Sequence, residues 1–308
     1  LIENRCELII GPPEGDQLVE KLTKKLPLAE GLFTLLTITI DDKLLSKAPN
    51  LKVISNMAVG FDNIDVEACT KRGIPVGNTP GVLTDGTADL TMAILLAAAR
   101  RLLEASQDAR EGRWKTWSPT GWLGKDLSGA KLGIVGLGKI GTAVARRAKG
   151  FGMEILFSDP NLNHDLVNQI GAERMEIHEL LQESDFVTLH VPLTSQTRHL
   201  IDRTALQLMK PSALLINTSR GPIVDQVALA QALKNGDIGG AALDVTDPEP
   251  LPADNELYSL KNCLVVPHIG SATWNTRQRM AERACENLLA GLEGKHLPYC
   301  VNPEIYLE

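Results

Sequence analysis

Residues 132–146 carry the pattern that most restricts what this chain can fold into. An apolar run, LGIV at 132–135, leads into GLGKIG at 136–141 and then into TAVAR, a stretch compatible with helix. A buried strand that turns on glycines straight into a helix is the arrangement that binds dinucleotides. Gly136 would permit the tight turn, Gly138 would let backbone amides approach a pyrophosphate, and Gly141 would let the helix pack on its strand. The positive N-terminal end of that helix would receive the phosphates.

The next strand-like run, 154–157, ends at Ser158-Asp159, and Asp159 lies 21 positions after Gly138. A dinucleotide fold needs an acceptor there for the hydroxyls of the adenosine ribose. Between Ser158 and His164 there is no Arg or Lys, so a 2′-phosphate would meet a carboxylate and no cation. NAD is therefore expected over NADP. The competing reading makes Asp159-Pro160 a simple turn.

A chain of 308 residues exceeds one typical core, and two domains are expected. A hydrophobic share of 44% with 22% charged residues is ordinary for a water-exposed globular protein. The net charge of -7 and the lack of a basic run argue against nucleic acid as a partner. The apolar stretch at 90–99 is too short to cross a bilayer, which needs roughly 20 residues, so no membrane role is expected. Cys6, Cys69, Cys263, Cys285 and Cys300 show no paired spacing, which argues against a disulfide framework or a zinc site and fits a reducing cytoplasm. No secretory leader is visible, and the chain opens without Met, so residues are expected to precede Leu1.

Apolar runs at 6–10, 32–37, 53–56 and 74–77 alternate with helix-like stretches such as 17–26 and 64–72, the pattern of a parallel α/β unit. The Ala- and Leu-rich segment 84–113 suits one long helix joining two domains, with 85–87 as candidate caps. Beyond it, 114–124 holds Trp114, Trp117 and Trp122, too aromatic for a plain linker and suggestive of a subunit interface. Further strand-like runs at 186–191, 213–217, 240–244 and 263–266 end in polar or turn-forming residues, and ligands collect at such carboxyl ends. A helix at 275–292 would return the chain to the first domain. The expected fold is α/β: two Rossmann-like domains with doubly wound parallel sheets and a cleft between them. Residues 1–82 and 271–308 would form the substrate-binding (catalytic) domain, and 83–270 the NAD-binding domain.

Three ionisable residues sit at or just after those strand ends: Arg220, Glu249 and His268. Reduction of a 2-keto acid puts negative charge on the carbonyl oxygen, and a histidine is suited to supply the proton. Glu249 against His268 would favour the imidazolium and fix its tautomer, and Arg220 offers a planar fork of donors for the acid's oxygens. Each alone is commonly a solvated surface group. Their joint placement at one sheet edge singles them out.

The chain resembles the D-2-hydroxyacid dehydrogenases through VGFDNID at 59–65, GNTPGVLTDGTAD at 77–89, VGLGKIG at 135–141, HVPLTSQT at 190–197, INTSRGPIVD at 216–225, LDVTDPEPLP at 243–252 and PHIGSAT at 267–273. Within that family the likeness is strongest to the branch that reduces glyoxylate and hydroxypyruvate. The resemblance implies the triad Arg220, Glu249 and His268, with substrate held by the amides of Val59 and Gly60 and by Arg220 and His268, and with Ser271 nearby. It also implies cofactor contacts at Thr87, Lys139, Ile140, Asp159, Pro192, Thr197, Thr218, Asp244 and Gly270. It implies a homodimer too, with Trp117 or Trp122 as the residue that reaches a neighbouring subunit. His190 is expected to lie near the cofactor without moving a proton. Two features depart from the family pattern: Asp159 stands where mammalian-type relatives place an NADP-binding Arg, and the family's opening strand is expected to be absent before Leu1. The expected activity is NADH-dependent reduction of a small 2-keto acid to the D-2-hydroxy acid. Alternatives are a phosphonate (phosphite) dehydrogenase and a nucleotide-sensing corepressor-like binding module.

Overall fold

The computed structural model describes residues 2, 4–10, 24–161 and 164–307. The chain divides into two compact units, Leu1–Leu83 with Thr273–Glu308, and Thr84–Ala272.

The first unit is built on a three-stranded parallel sheet, β1 Gly31–Thr34, β2 Val53–Asn56 and β3 Val76–Gly77, in that spatial order. Short helices connect them, α1 Asp42–Leu45 and α2 Val66–Lys71. Each begins where an aspartate captures a leading amide: Asp41 accepts from Leu44 N at 2.8 Å and Asp65 from Ala68 N at 2.9 Å. Such caps satisfy donors that have no partner inside the helix. The long helix Trp274–Leu292 also belongs to this unit and packs on β1 and β2. Leu288 from this helix and Val53 from β2 fall in one buried cluster.

The run at 6–10 was expected to be a strand and is not one. A strand needs a hydrogen-bonded neighbour, and these residues pair with no strand among the described residues; Ile10 is 85% exposed. Of the helix expected over 17–26, residues 17–23 lie outside the described residues, and Leu26 opens the short 3-10 turn Leu26–Leu28.

The second unit opens with two helices rather than one, α3 Thr84–Ala99 and α4 Leu102–Arg110. The break falls at Arg101, whose φ of 52° is left-handed. Its cause is the returning chain: Lys125 N takes the Ala99 carbonyl at 2.8 Å, and a Cβ on Gly124 would lie 2.4 Å from that oxygen. The Ala99 carbonyl is thus satisfied from outside the helix, so ending the helix there leaves that acceptor paired.

A seven-stranded parallel sheet follows: β4 Lys131–Val135, β5 Glu154–Ser158, β6 Glu173–Arg174, β7 Phe186–Leu189, β8 Leu214–Asn217, β9 Gly240–Leu243 and β10 Cys263–Val265. Its helices are α5 Lys139–Gly150, α6 His164–Ile170, α7 Ile177–Glu183, α8 Arg203–Leu208 and α9 Gln226–Asn235. The spatial order β10-β9-β8-β7-β4-β5-β6 reverses direction between β4 and β7. Strands β7, β8 and β9 are buried along their whole length, as a sheet covered on both faces requires. One face packs Leu180, Leu189 and Leu229; the other packs Ile134, Phe157, Phe186 and Ile216. Burying a ring the size of Phe157 or Phe186 contributes about 1.5–3 kcal/mol.

Candidate active site

In a doubly wound sheet ligands gather outside the carboxyl ends of the strands, where the strand order reverses. Here that point lies between β4 and β7, and the glycine turn stands on it. Gly136 has φ 94°, and a Cβ on it would lie 2.9 Å from the His190 carbonyl carbon, so only glycine fits between the two strand ends. A Cβ on Gly141 would lie 2.1 Å from the Gly136 carbonyl oxygen, which forces the turn and the helix into close packing. Gly138 caps α5 without a side chain, and a Cβ there would meet nothing within 4 Å. The amides of Lys139, Ile140 and Gly141 therefore open α5 with neither a capping side chain nor an acidic residue in the first turn. These unpaired donors suit a phosphate.

Asp159 stands just past β5, where its Oδ2 accepts from Leu137 N at 2.7 Å and its Oδ1 from Asn161 N at 2.8 Å. Both oxygens keep further lone pairs for ribose hydroxyls. The cradle thus offers amides for phosphates and one fixed carboxylate for a ribose, which fits NAD. Thr197 Oγ1 donates to the Pro192 carbonyl at 2.6 Å and closes the loop after β7. Thr218 is buried with its hydroxyl 2.8 Å from that of Thr91 on α3. Thr87, on the same helix, is buried, and a Cβ on Gly270 would lie 3.4 Å from its Oγ1. Burial pushes His190 down to about 3, and its Nε2 is enclosed without a hydrogen-bond partner among the described residues, so the ring is neutral.

The three ionisable residues converge. His268 Nδ1 and Glu249 Oε1 are 2.5 Å apart. Burial acts to raise the Glu249 carboxyl, but the hydrogen bond and charge of His268, the Thr246 amide and Arg220 together hold it below its ordinary value. Glu249 is thus an anion backing the imidazole. Arg220 leaves β8 through a turn fixed by Asn217, whose Nδ2 donates to the Arg220 carbonyl at 2.8 Å while its Oδ1 accepts from Ser219 N at 3.0 Å. The next residue, Gly221, lies so close to the loop after β9 that a Cβ would stand 1.9 Å from the Thr246 carbonyl oxygen. That contact presses the arginine turn against the loop that carries Glu249.

Asp244 has a role that sequence reasoning did not find. Its carbonyl accepts from His268 N at 2.9 Å, its Oδ1 from Ile269 N at 2.6 Å and its Oδ2 from Gly270 N at 2.8 Å. Three successive amides are thereby tied to one residue, and His268 is held at φ 51°, a conformation that most side chains avoid. Burial raises the Asp244 carboxyl, and those amides and His268 pull against the rise. Ser271 follows, half-buried, in the turn after Gly270. Asn217 was also missed, although an Asn two residues before Ser is a recognisable side-chain turn signal; nothing in the sequence marks Asp244 as a clamp.

Val59 and Gly60, in the first unit, occupy the loop after β2, and their amides donate to no described residue. Among the described residues there is no group of three or more His, Cys, Asp or Glu side chains placed to hold a metal ion, and no helix is long and apolar enough to cross a membrane.

A parallel sheet with a glycine turn at its reversal point, a carboxylate at the end of the next strand and an imidazole–carboxylate pair beside an arginine define a nucleotide-dependent dehydrogenase of the Rossmann type. Residues 92–270 match the family model described as D-isomer specific 2-hydroxyacid dehydrogenase, NAD binding domain. A glyoxylate reductase of Korarchaeum cryptofilum is 49% identical over 305 residues, 99% of this chain and 92% of that one. A crystal structure of a Thermus thermophilus protein superposes with a TM-score of 0.87 at 47% identity, covering 96% of this chain and 91% of the other. A D-lactate dehydrogenase from Aquifex aeolicus, solved with NAD and lactic acid, gives a TM-score of 0.83 at 32% identity over 91% of this chain and 88% of its own. The chain belongs to the D-isomer specific 2-hydroxyacid dehydrogenase family, and it is an NAD-dependent oxidoreductase acting on a small-molecule substrate.

Proposed function

We propose that this enzyme reduces glyoxylate with NADH, and that hydroxypyruvate is a second substrate. The reading rests foremost on the bond between His268 and Glu249 beside Arg220 at the carboxyl edge of the sheet. Similarity to a glyoxylate reductase, 49% identical along nearly the whole chain, favours a keto acid over phosphite oxidation or a purely nucleotide-sensing role. Residues 1–82 and 271–308 serve as the substrate-binding domain and 83–270 as the NAD-binding domain.

Glu249 occupies Nδ1 of His268, which leaves Nε2 to carry the transferable proton. Bound NADH supplies the hydride that the carbonyl carbon accepts. As charge grows on the carbonyl oxygen, Nε2–H donates its proton there, and the ring ends neutral with Nδ1–H still on Glu249. Asp244 keeps the imidazole aimed by holding the backbone on either side of it. Arg220 pairs with the acid's carboxylate and carbonyl oxygens, opposing charge where it develops. The amides of Val59 and Gly60 hold the carboxylate, with Ser271 beside the substrate. Gly136, Gly138, Lys139, Ile140 and Gly141 receive the pyrophosphate and Asp159 the ribose. Thr87, Pro192, Thr197, Thr218, Asp244 and Gly270 complete the cofactor's surroundings.

Trp114 and Trp117 are 71% and 78% exposed, and Leu102, Leu103 and Leu123 are exposed nearby in sequence. This much uncovered apolar surface supports a homodimer, with Trp117 or Trp122 reaching the partner. The cytoplasm is the assigned compartment, in keeping with five free thiols among the described residues. Initial rates with NADH and NADPH against glyoxylate, hydroxypyruvate and pyruvate, and with NAD and NADP against phosphite, test the assignment. Turnover should be highest with NADH and glyoxylate; activity confined to phosphite and NAD would reject it.

A further inference from the structure

The loop after β2 is gripped by its carbonyls. Ala58 O accepts from Thr79 N at 2.8 Å, Val59 O from Asn78 Nδ2 at 2.8 Å and Gly60 O from Asn56 Nδ2 at 2.9 Å. A trans peptide points its N–H opposite its C=O. Holding the Ala58 carbonyl therefore turns the Val59 amide away from the gripping residue, and holding the Val59 carbonyl does the same for the Gly60 amide. Neither amide donates to any described residue. Both are thus presented as free donors by groups behind the loop.

The grip is itself built in. Asn287 Nδ2, from the long C-terminal helix, donates to the Asn78 carbonyl at 3.0 Å, and its Oδ1 accepts from Tyr299 N at 3.0 Å. A Cβ on Gly77 would lie 2.6 Å from the Asn287 amide group, so a glycine is needed for that side chain to reach. Asn56 is fully buried, yet its Oδ1 has no partner among the described residues. An unpaired buried acceptor is costly and calls for a compensating role; here the other end of the same side chain holds Gly60 O.

We propose that Asn78 and Asn56 are positioning residues for recognition of the substrate carboxylate: Asn78 turns the Gly60 amide outward through the Val59 carbonyl, and Asn56 anchors the next peptide through the Gly60 carbonyl and so fixes the loop that carries both amides. The inference rests on the assignment of those amides to the carboxylate. Its consequence is a penalty in substrate binding without a matching loss in cofactor binding or in chemistry. Asn78→Ala should raise KM for glyoxylate about 10- to 100-fold, the range expected when a hydrogen bond to a charged group is misdirected, with kcat within about threefold and NADH affinity unchanged. Asn56→Ala should act in the same direction and keeps the idea testable if Asn78→Ala does not fold.

The discriminating readout is amide NMR of enzyme carrying [15N]Val and [15N]Gly, titrated with oxalate, an unreactive two-carbon carboxylate, in the presence of NADH. In the unaltered protein the Val59 and Gly60 signals should move, and in Asn78→Ala the Gly60 movement should be lost. If both signals move equally in the variant and KM stays within twofold, the positioning role is refuted while the carboxylate site stands. If neither signal moves in the unaltered protein, the carboxylate assignment fails and the positioning role with it.

Discussion

Replacing Glu249 by Gln keeps the shape of the side chain and an acceptor oxygen for Nδ1 but removes the charge. At 2.5 Å a full ion pair attracts by about 1.7 kcal/mol in water-like surroundings and about 6.6 kcal/mol at an effective dielectric of 20. The two side chains are 31% and 41% exposed, so solvent screening sets the loss toward the lower bound, at about 2–3 kcal/mol. At 1.36 kcal/mol per tenfold in rate this corresponds to a loss of roughly 30- to 150-fold, because the carboxylate no longer opposes the positive charge of the imidazole that donates the proton. The assay is kcat/KM for NADH oxidation with glyoxylate at pH 7, with NADH binding followed separately by fluorescence and expected to be unchanged. A loss of less than about threefold would refute the role given to this pair.

His268→Ala should depress turnover by about 10²- to 10⁴-fold while NADH still binds, which a fluorescence titration checks. Asp159→Ser with Arg at position 160 should shift the ratio of NADH to NADPH efficiency towards NADPH; an unchanged ratio would remove Asp159 from the ribose site. Burial pushes Cys69 to about 11 and Cys263 to about 12, so neither should react with a thiol reagent at pH 8 in the native enzyme. Both should react once guanidinium unfolds it. Asp185 is raised by burial but held net below its ordinary value by the Lys131 amide and by Lys210. A carboxyl lowered on folding stabilises above its unfolded pKa, and that stability is lost as the pH falls through the lower folded value. Asp185→Asn should therefore flatten the fall in melting temperature below about pH 4, as a thermal scan across pH 2.5–6 would show.

The parallel sheets could be read in the sequence because strands buried on both faces leave short, largely apolar runs bounded by turn formers, and 53–56 matches β2 residue for residue although Ser55 and Asn56 are polar. The glycine turn was legible because its spacing answers to backbone geometry. The break at Arg101 was not, since it depends on Lys125 claiming a carbonyl from elsewhere in the chain. The run at 6–10 misled for a related reason: apolar content does not supply a neighbouring strand. Arg220, Glu249 and His268 could be picked out by residue type and strand-end position. The groups that aim them could not, because Asp244 and Asn217 act through hydrogen bonds that exist only once the loops after β8, β9 and β10 are folded. Asn56 and Asn78 were invisible for the same reason.

The central claim is that a hydride reaches the keto carbon while His268 protonates the oxygen. It is tested most directly by incubating the enzyme with glyoxylate and NADH deuterated at the transferable position and following glycolate by mass spectrometry. The expected result is one deuterium bonded to carbon in each glycolate from the unaltered enzyme, with formation at least 100-fold slower in His268→Ala. Unlabelled glycolate, or labelled glycolate formed as fast by His268→Ala as by the parent, would contradict it.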